Sequence, residues 1–412
     1  MFHEITRCRI CQNTELVPLL DLGNQALTGI FPRSRDQEVE RMPLQLVKCD
    51  GDDHCGLLQL RHTGDLGRMY GHDYGYRSGL NLSMVEHLRS KVRRILERIP
   101  VSTGDLVLDV GSNDSTTLQA YPRNLQLVGI DPTGLKFKAY YPAHVELIPD
   151  FFSAEAIRGR FGATKAKIVT SFSMFYDLED PSSFMREIHE VLADDGVWVF
   201  EQSYMPLMLK RNSYDTVCHE HLEYYSLRQI LWMAQKTGFR VLDVEFNDVN
   251  GGSFSIMVAK NRSSFPADEA MLASILSEED KLGLRTLEPY RAFAKRVADH
   301  RETLNGLIGE IARSGRRILG YGASTKGNVI LQYCNLRDRD LSCIAEVNPD
   351  KFGAFTPGSL IPIVSEADAK RMKPEFFLVL PWHFRQSVLS RETDYAKAGG
   401  KFVFPMPAVS VV

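Results

Sequence analysis

The chain has 412 residues, 44% of them hydrophobic and 25% charged, with a formal net charge of −3. These values describe an ordinary globular protein of about two to four domains and exclude any general electrostatic attraction to nucleic acid or acidic lipid. No apolar run approaches the roughly 18–20 residues of a membrane-spanning helix, and Met1-Phe2-His3-Glu4 lacks the basic-then-apolar pattern of a signal peptide.

Residues 1–65 carry four of the seven cysteines. Cys8 and Cys11, with two residues between them, form a knuckle that puts two thiolates on one side of a tight turn, half of a tetrahedral zinc site. Cys49 and Cys55 close it, although their gap is wider than a usual second knuckle, and His54 and His62 stand by as spare ligands. Four thiolates leave no open coordination position, so the zinc is expected to be structural. Asp50, Asp52 and Asp53 between the ligands argue against nucleic acid as a partner. Cys218, Cys334 and Cys343 are scattered, which is no disulfide framework and fits a reducing cytoplasm.

Residues 66–262 open with an aromatic stretch from Tyr70 to Ser78 that reads as a lid, followed by a helical pattern from Met84 to Leu96. Short apolar runs then alternate with helical segments: Leu106–Val110, Leu125–Ile130, Ala166–Thr170 and Gly196–Phe200. That alternation predicts a parallel sheet covered on both faces, a Rossmann-like α/β domain. Residues 263–412 begin with helices to about 312. Runs at Arg316–Gly320, Leu341–Ala345 and Phe376–Leu380 then predict a second doubly wound α/β domain.

The first strand of the middle domain runs into Asp109-Val110-Gly111-Ser112-Asn113-Asp114-Ser115, and the second ends in Gly129-Ile130-Asp131. This is the layout that binds a nucleoside at the carboxyl edge of a parallel sheet, with Asp131 placed to accept ribose hydroxyls. A dinucleotide needs further glycines so that pyrophosphate can meet a helix N-terminus. Here one glycine lies between Asp109 and Asp114, which suits the positive aminoacyl and sulfonium groups of S-adenosylmethionine. Asp150 and Phe151, after the third strand position, are placed to grip adenine, and Phe172 ends the fourth strand, on the side that faces the transferred methyl.

Tyr176 follows that strand, and the run Cys218-His219-Glu220-His221-Leu222-Glu223-Tyr224-Tyr225 follows the fifth. A histidine oriented by a carboxylate makes a general base. A zinc-protease motif is excluded because the second histidine has the wrong spacing, and a structural polar cluster stays open. In the C-terminal part, Gly320-x-Gly322 with Lys326 and Gly327 follows a strand as a phosphate loop does. An NAD site or a helix-packing turn are both open, with Glu346 the one candidate for a ribose contact.

Taken in order, these motifs resemble the three-domain sugar C-methyltransferases, which act at C-3 of nucleotide-linked 4-keto-6-deoxyhexoses. The resemblance runs from Cys8-x2-Cys11 through Tyr74-Gly75-Tyr76-Arg77-Ser78-Gly79, Gly111-Ser112-Asn113-Asp114 and His219-Glu220-His221 to Asn250-Gly251-Gly252-Ser253. It ends with Gly320 to Asn328 and Pro357 to Ile363. It implies a zinc module, a class I S-adenosylmethionine-dependent domain and a Rossmann-like C-terminal domain. It further implies His221 as base with Glu220 beside it, Tyr76 reaching in from the lid, and His219 and Tyr176 nearby. Tyr224, Gly322, Ser324, Lys326 and Asn328 would then hold the sugar nucleotide, Lys326 and its loop taking the diphosphate. Ser115 stands where the family has glycine, and Cys218 and Tyr176 replace a tyrosine and a histidine. O-methylation of a sugar or other small molecule is the alternative activity, and an inactive zinc- and nucleotide-binding protein the alternative class. An active site enclosed between domains of one chain is compatible with a monomer.

Overall fold

The computed structural model describes residues 2–65, 67 and 76–412; the Tyr70–Gly75 part of the expected lid lies outside them. The N-terminal part folds as an antiparallel sheet of Leu16–Ala26, Arg41–Cys49 and Leu58–Leu60. Its edge comes from far along the chain: Glu223–Tyr224 pairs antiparallel with Leu58–Leu60. The strand that follows the His-Glu-His run therefore belongs to the sheet of the cysteine module.

The central sheet has seven strands: β1 (Leu106–Val110), β2 (Gln126–Ile130), β3 (Val145–Ile148), β4 (Ala166–Phe172), β5 (Leu192–Ser203), β6 (Phe239–Asn247) and β7 (Ser253–Lys260). Their order is 3-2-1-4-5-7-6 with β7 antiparallel to its neighbours. Every residue of β1 is buried, as a parallel strand covered on both faces requires. β3 and β6 escape a search for apolar runs, because β3 is only half-buried and β6 alternates with polar residues; β7 carries the buried run Ile256–Ala259, which is missing from the expected alternation. On one face the helix Leu82–Arg98 buries Leu88, Val92 and Ile95, one stripe at helical spacing, after an Asn81 cap that accepts Ser83 N–H.

The third sheet contains β8 (Ile318–Tyr321), β9 (Ile344–Glu346), β10 (Ile363–Ser365), β11 (Phe376–Val379), β12 (Lys401–Phe404) and β13 (Ser410–Val411). Its order, 10-9-8-11-12-13, is that of a doubly wound nucleotide-binding fold with an antiparallel last strand. Leu284, Tyr290, Val297 and Leu304 lead into a core shared with Leu44, Leu58, Tyr214 and Tyr224, so the three parts are packed together rather than strung on linkers. Among the described residues no helix is long and apolar enough to cross a membrane.

Candidate active site and metal centre

The sulfur atoms of Cys8, Cys11, Cys49 and Cys55 lie within 4.8 Å of one another. Two pairs approach to 3.4 and 3.5 Å, near the roughly 3.8 Å edge that a tetrahedron of 2.3 Å Zn–S bonds requires. The Asn13 amide donates to Cys49 Sγ at 3.4 Å. Four thiols without disulfides, packed to that spacing, fit zinc. Between the first two ligands, buried Arg9 donates to the Leu60 carbonyl at 2.6 Å and the Thr63 hydroxyl at 2.7 Å, and its Nε lies 4.0 Å from Glu223. The knuckle thus reaches the segment that follows His221. Because the binding free energy of a structural zinc is folding free energy, chelation is expected to speed amide exchange in residues 44–60 and 223–226 together. The expected acceleration is more than about tenfold, measured by hydrogen–deuterium mass spectrometry.

The cofactor turn curls over the end of β1. Gly111 has φ +76°, and a Cβ there would stand 3.1 Å from Met174 Cγ. Asn113 and Ser115 also take positive φ, +48° and +64°. Ser115 keeps the left-handed backbone that glycine serves elsewhere, with its hydroxyl donating to the Tyr140 carbonyl at 3.2 Å. Asp131, at the end of β2, is buried; its Oδ2 accepts Asn113 N–H at 2.7 Å, and its Oδ1 accepts the Thr133 N–H and hydroxyl at 2.7 and 2.6 Å. Asp109 accepts the Thr170 hydroxyl at 2.6 Å; burial pushes its carboxyl up to about 7, with the Thr170 bond opposing and Asp131 adding to the rise. Ser112 shares a hydrogen bond with Tyr141 at 2.8 Å, and Tyr141 also donates to the Asn113 carbonyl at 2.9 Å. The sequence carried no signal for that tyrosine.

Two of the residues expected to face the cofactor turn elsewhere. Asn113 Oδ1 accepts Ser78 N–H at 3.0 Å and its Nδ2 donates to the Tyr76 carbonyl at 3.1 Å. Asp114 accepts Gly79 N–H at 2.9 Å and the Thr116 hydroxyl at 2.5 Å. Both side chains hold residues 76–79, the end of the expected lid and the short 3-10 turn Ser78–Leu80, against the cofactor turn by pairing with their backbone. The Tyr76 side chain itself is half exposed. Asp150 accepts Phe151 N–H at 2.7 Å, and the Phe151 ring stays 51% exposed at the sheet edge. Phe172, the last residue of β4, is half-buried.

The His-Glu-His run is rearranged relative to expectation. His221 donates Nδ1–H to the Thr216 carbonyl at 2.8 Å, which leaves Nε2 as the free acceptor. Its ring meets Tyr176 edge to face, centroids 4.3 Å apart. Glu220 does not orient it: that carboxyl faces the Thr28 hydroxyl at 3.5 Å and would stand 2.8 Å from a Cβ at Gly29. His219 is fully buried and bonds the Met42 carbonyl at 3.0 Å through Nε2, a tie to the N-terminal sheet. Adjacent residues in a loop point in different directions, so one run sends its three side chains to three different neighbours. Burial, with the Lys326 charge adding, pushes the His221 imidazole down to about 3.

Lys326 arrives from the C-terminal part, at the start of the helix Thr325–Tyr333, and donates to the Asn250 carbonyl at 2.6 Å. Ser324 caps that helix by accepting Gly327 N–H at 3.0 Å. Gly322 and Gly327 serve close packing, since a Cβ on either would stand 2.6 or 2.7 Å from Pro381 or Leu380. Glu346 is occupied by Ala323, Val347 and Asn348 N–H groups, which removes the proposed ribose contact of an NAD site. Asn328 is buried and donates to the Thr28 carbonyl at 2.8 Å. Tyr224 is also buried, its hydroxyl donating to the same Thr216 carbonyl at 3.4 Å. Asn328 therefore ties the C-terminal part to the N-terminal part, and Tyr224 holds the loop that precedes it; neither lines an open pocket.

An acid-rimmed glycine turn at the carboxyl ends of β1 and β2, in a sheet of order 3-2-1-4-5-7-6, defines an S-adenosylmethionine-dependent methyltransferase. The chain matches family models described as a zinc binding domain over residues 8–70, a methyltransferase domain over 84–244 and a C-methyltransferase C-terminal domain over 248–407. It is 31% identical to the C-methyltransferase NovU of Streptomyces niveus over 417 residues, covering 99% of this chain and 97% of that one. The chain belongs to this C-methyltransferase family. Among solved structures it is similar to a chain of the complex between the Haloferax volcanii Trm112 methyltransferase activator and a methyltransferase. That match has 16% identity and a TM-score of 0.37 over 44% of this chain and 95% of that one. The N-methyltransferase NodS of Bradyrhizobium japonicum WM9 with S-adenosyl-l-homocysteine matches at 12% identity and TM-score 0.35 over 48% and 96%.

Proposed function

We propose that this methyltransferase acts on carbon C-3 of a nucleotide-linked 4-keto-6-deoxy sugar, with His221 as the base. The observation that carries the reading is the geometry of His221: Nδ1 is 2.8 Å from the Thr216 carbonyl, which can only accept, so Nε2 is left to take a proton, and burial favours the neutral ring. Asp109, Gly111, Ser112 and Asp131 would hold the cofactor, with Phe151 beside its adenine. Desolvated acids at that turn fit the aminoacyl cation and sulfonium better than they fit pyrophosphate. S-adenosylmethionine, when bound, supplies an electrophilic methyl group. His221 Nε2 takes the proton from the carbon next to the ketone, and the electron pair passes to the ketone oxygen as an enolate. The Lys326 ammonium, fixed by the Asn250 carbonyl and within electrostatic reach of His221, would stabilise that charge rather than the diphosphate; a preorganised donor of this kind contributes up to a few kcal/mol. Tyr176 packs against the His221 ring, and Tyr76 would reach the substrate from the lid. We read the chain as a monomeric cytoplasmic enzyme in three units, 1–65, 66–262 and 263–412; the free cysteines suit a reducing compartment.

The test is exchange of the C-3 proton of a thymidine-diphosphate-linked 4-keto-6-deoxyhexose in deuterium oxide without cofactor. Deuterium uptake dependent on His221 supports carbon methylation, whereas methylation of a sugar hydroxyl without any exchange would move the assignment to O-transfer. A pH prediction follows from the same site. The base works only when neutral, so with its pKa near 3 the exchange rate is expected to stay level down to about pH 5. Lys326→Met removes a positive charge that opposes protonation, so the His221 pKa rises. The acid limb should then move up by about one unit, read from the pH dependence of kcat/KM.

A further inference from the structure

The turn Tyr214–Thr216 is gripped from two sides. On the side of the His-Glu-His loop and the strand that follows it, the Thr216 carbonyl accepts His221 Nδ1–H at 2.8 Å and the Tyr224 hydroxyl at 3.4 Å. Towards the C-terminal sheet, Asp215 Oδ2 accepts the indole N–H of Trp382 at 2.7 Å. Asp215 is 1% and Trp382 7% exposed. Trp382 opens the short turn Trp382–Phe384 that follows β11, and its ring edge rests 3.3 Å from where a Cβ of Gly251 would stand. Asp215 Oδ1 has no hydrogen-bond partner among the described residues, and Lys326 lies within its electrostatic reach.

A buried carboxyl is costly to desolvate unless a partner satisfies it, and the indole N–H of Trp382 is that partner. Here the bond crosses 167 residues of sequence. It ends one residue from the carbonyl that selects the tautomer of His221. A 2.8 Å contact to a backbone carbonyl is sensitive to small shifts, and misplacing a reacting group by 1 Å can cost about 10²-fold in rate.

We propose that Asp215 and Trp382 are positioning residues for His221: their hydrogen bond pins the Tyr214–Thr216 turn to the C-terminal domain and so fixes the carbonyl that holds Nδ1–H. Seating of the C-terminal sheet and readiness of the base are then one event. This rests on His221 being the base.

The experiment labels the histidines with nitrogen-15 and reads the ring tautomer of His221 by NMR, alongside cofactor-free deuterium exchange into the thymidine-diphosphate-linked 4-keto-6-deoxyhexose. His221→Gln assigns the signal. Trp382→Phe keeps a smaller aromatic ring and removes the donor; Asp215→Asn keeps an oxygen acceptor for the indole; Asp215→Ala removes it. Trp382→Phe and Asp215→Ala are expected to mix the two tautomers and slow exchange by about 10- to 100-fold, with calorimetric affinity for S-adenosylmethionine unchanged. Asp215→Asn should restore a single Nδ1–H tautomer and most of the exchange. If Asp215→Ala does not fold, Trp382→Phe carries the test. A single Nδ1–H tautomer and wild-type exchange in Trp382→Phe would overturn the positioning role, and leave the base reading intact if His221→Gln is inert. Wild-type exchange by His221→Gln would overturn both.

Discussion

Replacing His221 with glutamine is expected to lower turnover by about 10²- to 10⁴-fold, the range that a positioned general base contributes, while S-adenosylmethionine still binds. The geometry separates the two effects. His221 lies after β5 and its ring contacts are Tyr176 and Thr216. The cofactor turn is built from β1 and β2, with Asp131 bonded to Asn113 and Thr133. Glutamine can still donate to the Thr216 carbonyl, so the local fold survives; what disappears is a neutral nitrogen able to accept a proton. Steady-state kinetics should show kcat falling with little change in KM for the cofactor, and calorimetry an unchanged cofactor affinity. A variant with undiminished turnover would remove His221 from the mechanism. Glu220→Gln should have a smaller effect, since its carboxyl faces Thr28 and Gly29.

Asp131→Ala carries the second large effect, on binding rather than on chemistry. The side chain accepts three protein donors, two of them the backbone N–H groups of Asn113 and Thr133. A carboxylate has about four acceptor positions, so roughly one remains for a ribose hydroxyl. The alanine variant loses that contact and leaves two backbone donors of the turn unpaired. Hydrogen bonds to a charged group are worth about 1.5–3 kcal/mol each, so cofactor affinity should fall by at least about 10- to 100-fold. Calorimetric titration measures the loss, and circular dichroism checks that the variant is folded. Wild-type affinity in the folded variant would exclude Asp131 from the cofactor site.

What could be read without coordinates was local. The Cys8–Cys11 knuckle, the strand–glycine–acid sequence around Gly111 and Asp131, and the alternation of strands and helices are each written within a few residues, where chain geometry alone sets which groups meet. The four-sulfur cluster and the parallel strands of both α/β sheets are where that reading put them, while the antiparallel strands β7 and β13 were not foreseen. Ser115 shows its limit in the other direction: a serine sits at +64° because its hydroxyl and its burial hold it there, against the backbone preference that names glycine.

Side-chain direction in loops was decided only by packing. The sequence places two histidines beside a glutamate and invites a carboxylate-oriented base. The fold instead sends His219 to Met42, 177 residues away, and Glu220 to Thr28, 192 residues away. Orientation of His221 falls to a neighbouring carbonyl. The same holds for Asn113 and Asp114, drawn to residues 76–79, and for Trp382, whose partner Asp215 sits on another domain. A helix or strand has a period that announces which residues share a face; an irregular segment has none. Its side chains go wherever a buried donor or acceptor elsewhere in the chain needs a partner, because an unpaired one costs more than the bend that satisfies it. Composition and motif spacing determined the cofactor class and the metal. Which nitrogen of His221 is hydrogen-bonded was decided by the Thr216 carbonyl, on a turn that also accepts the indole of Trp382 from the C-terminal part.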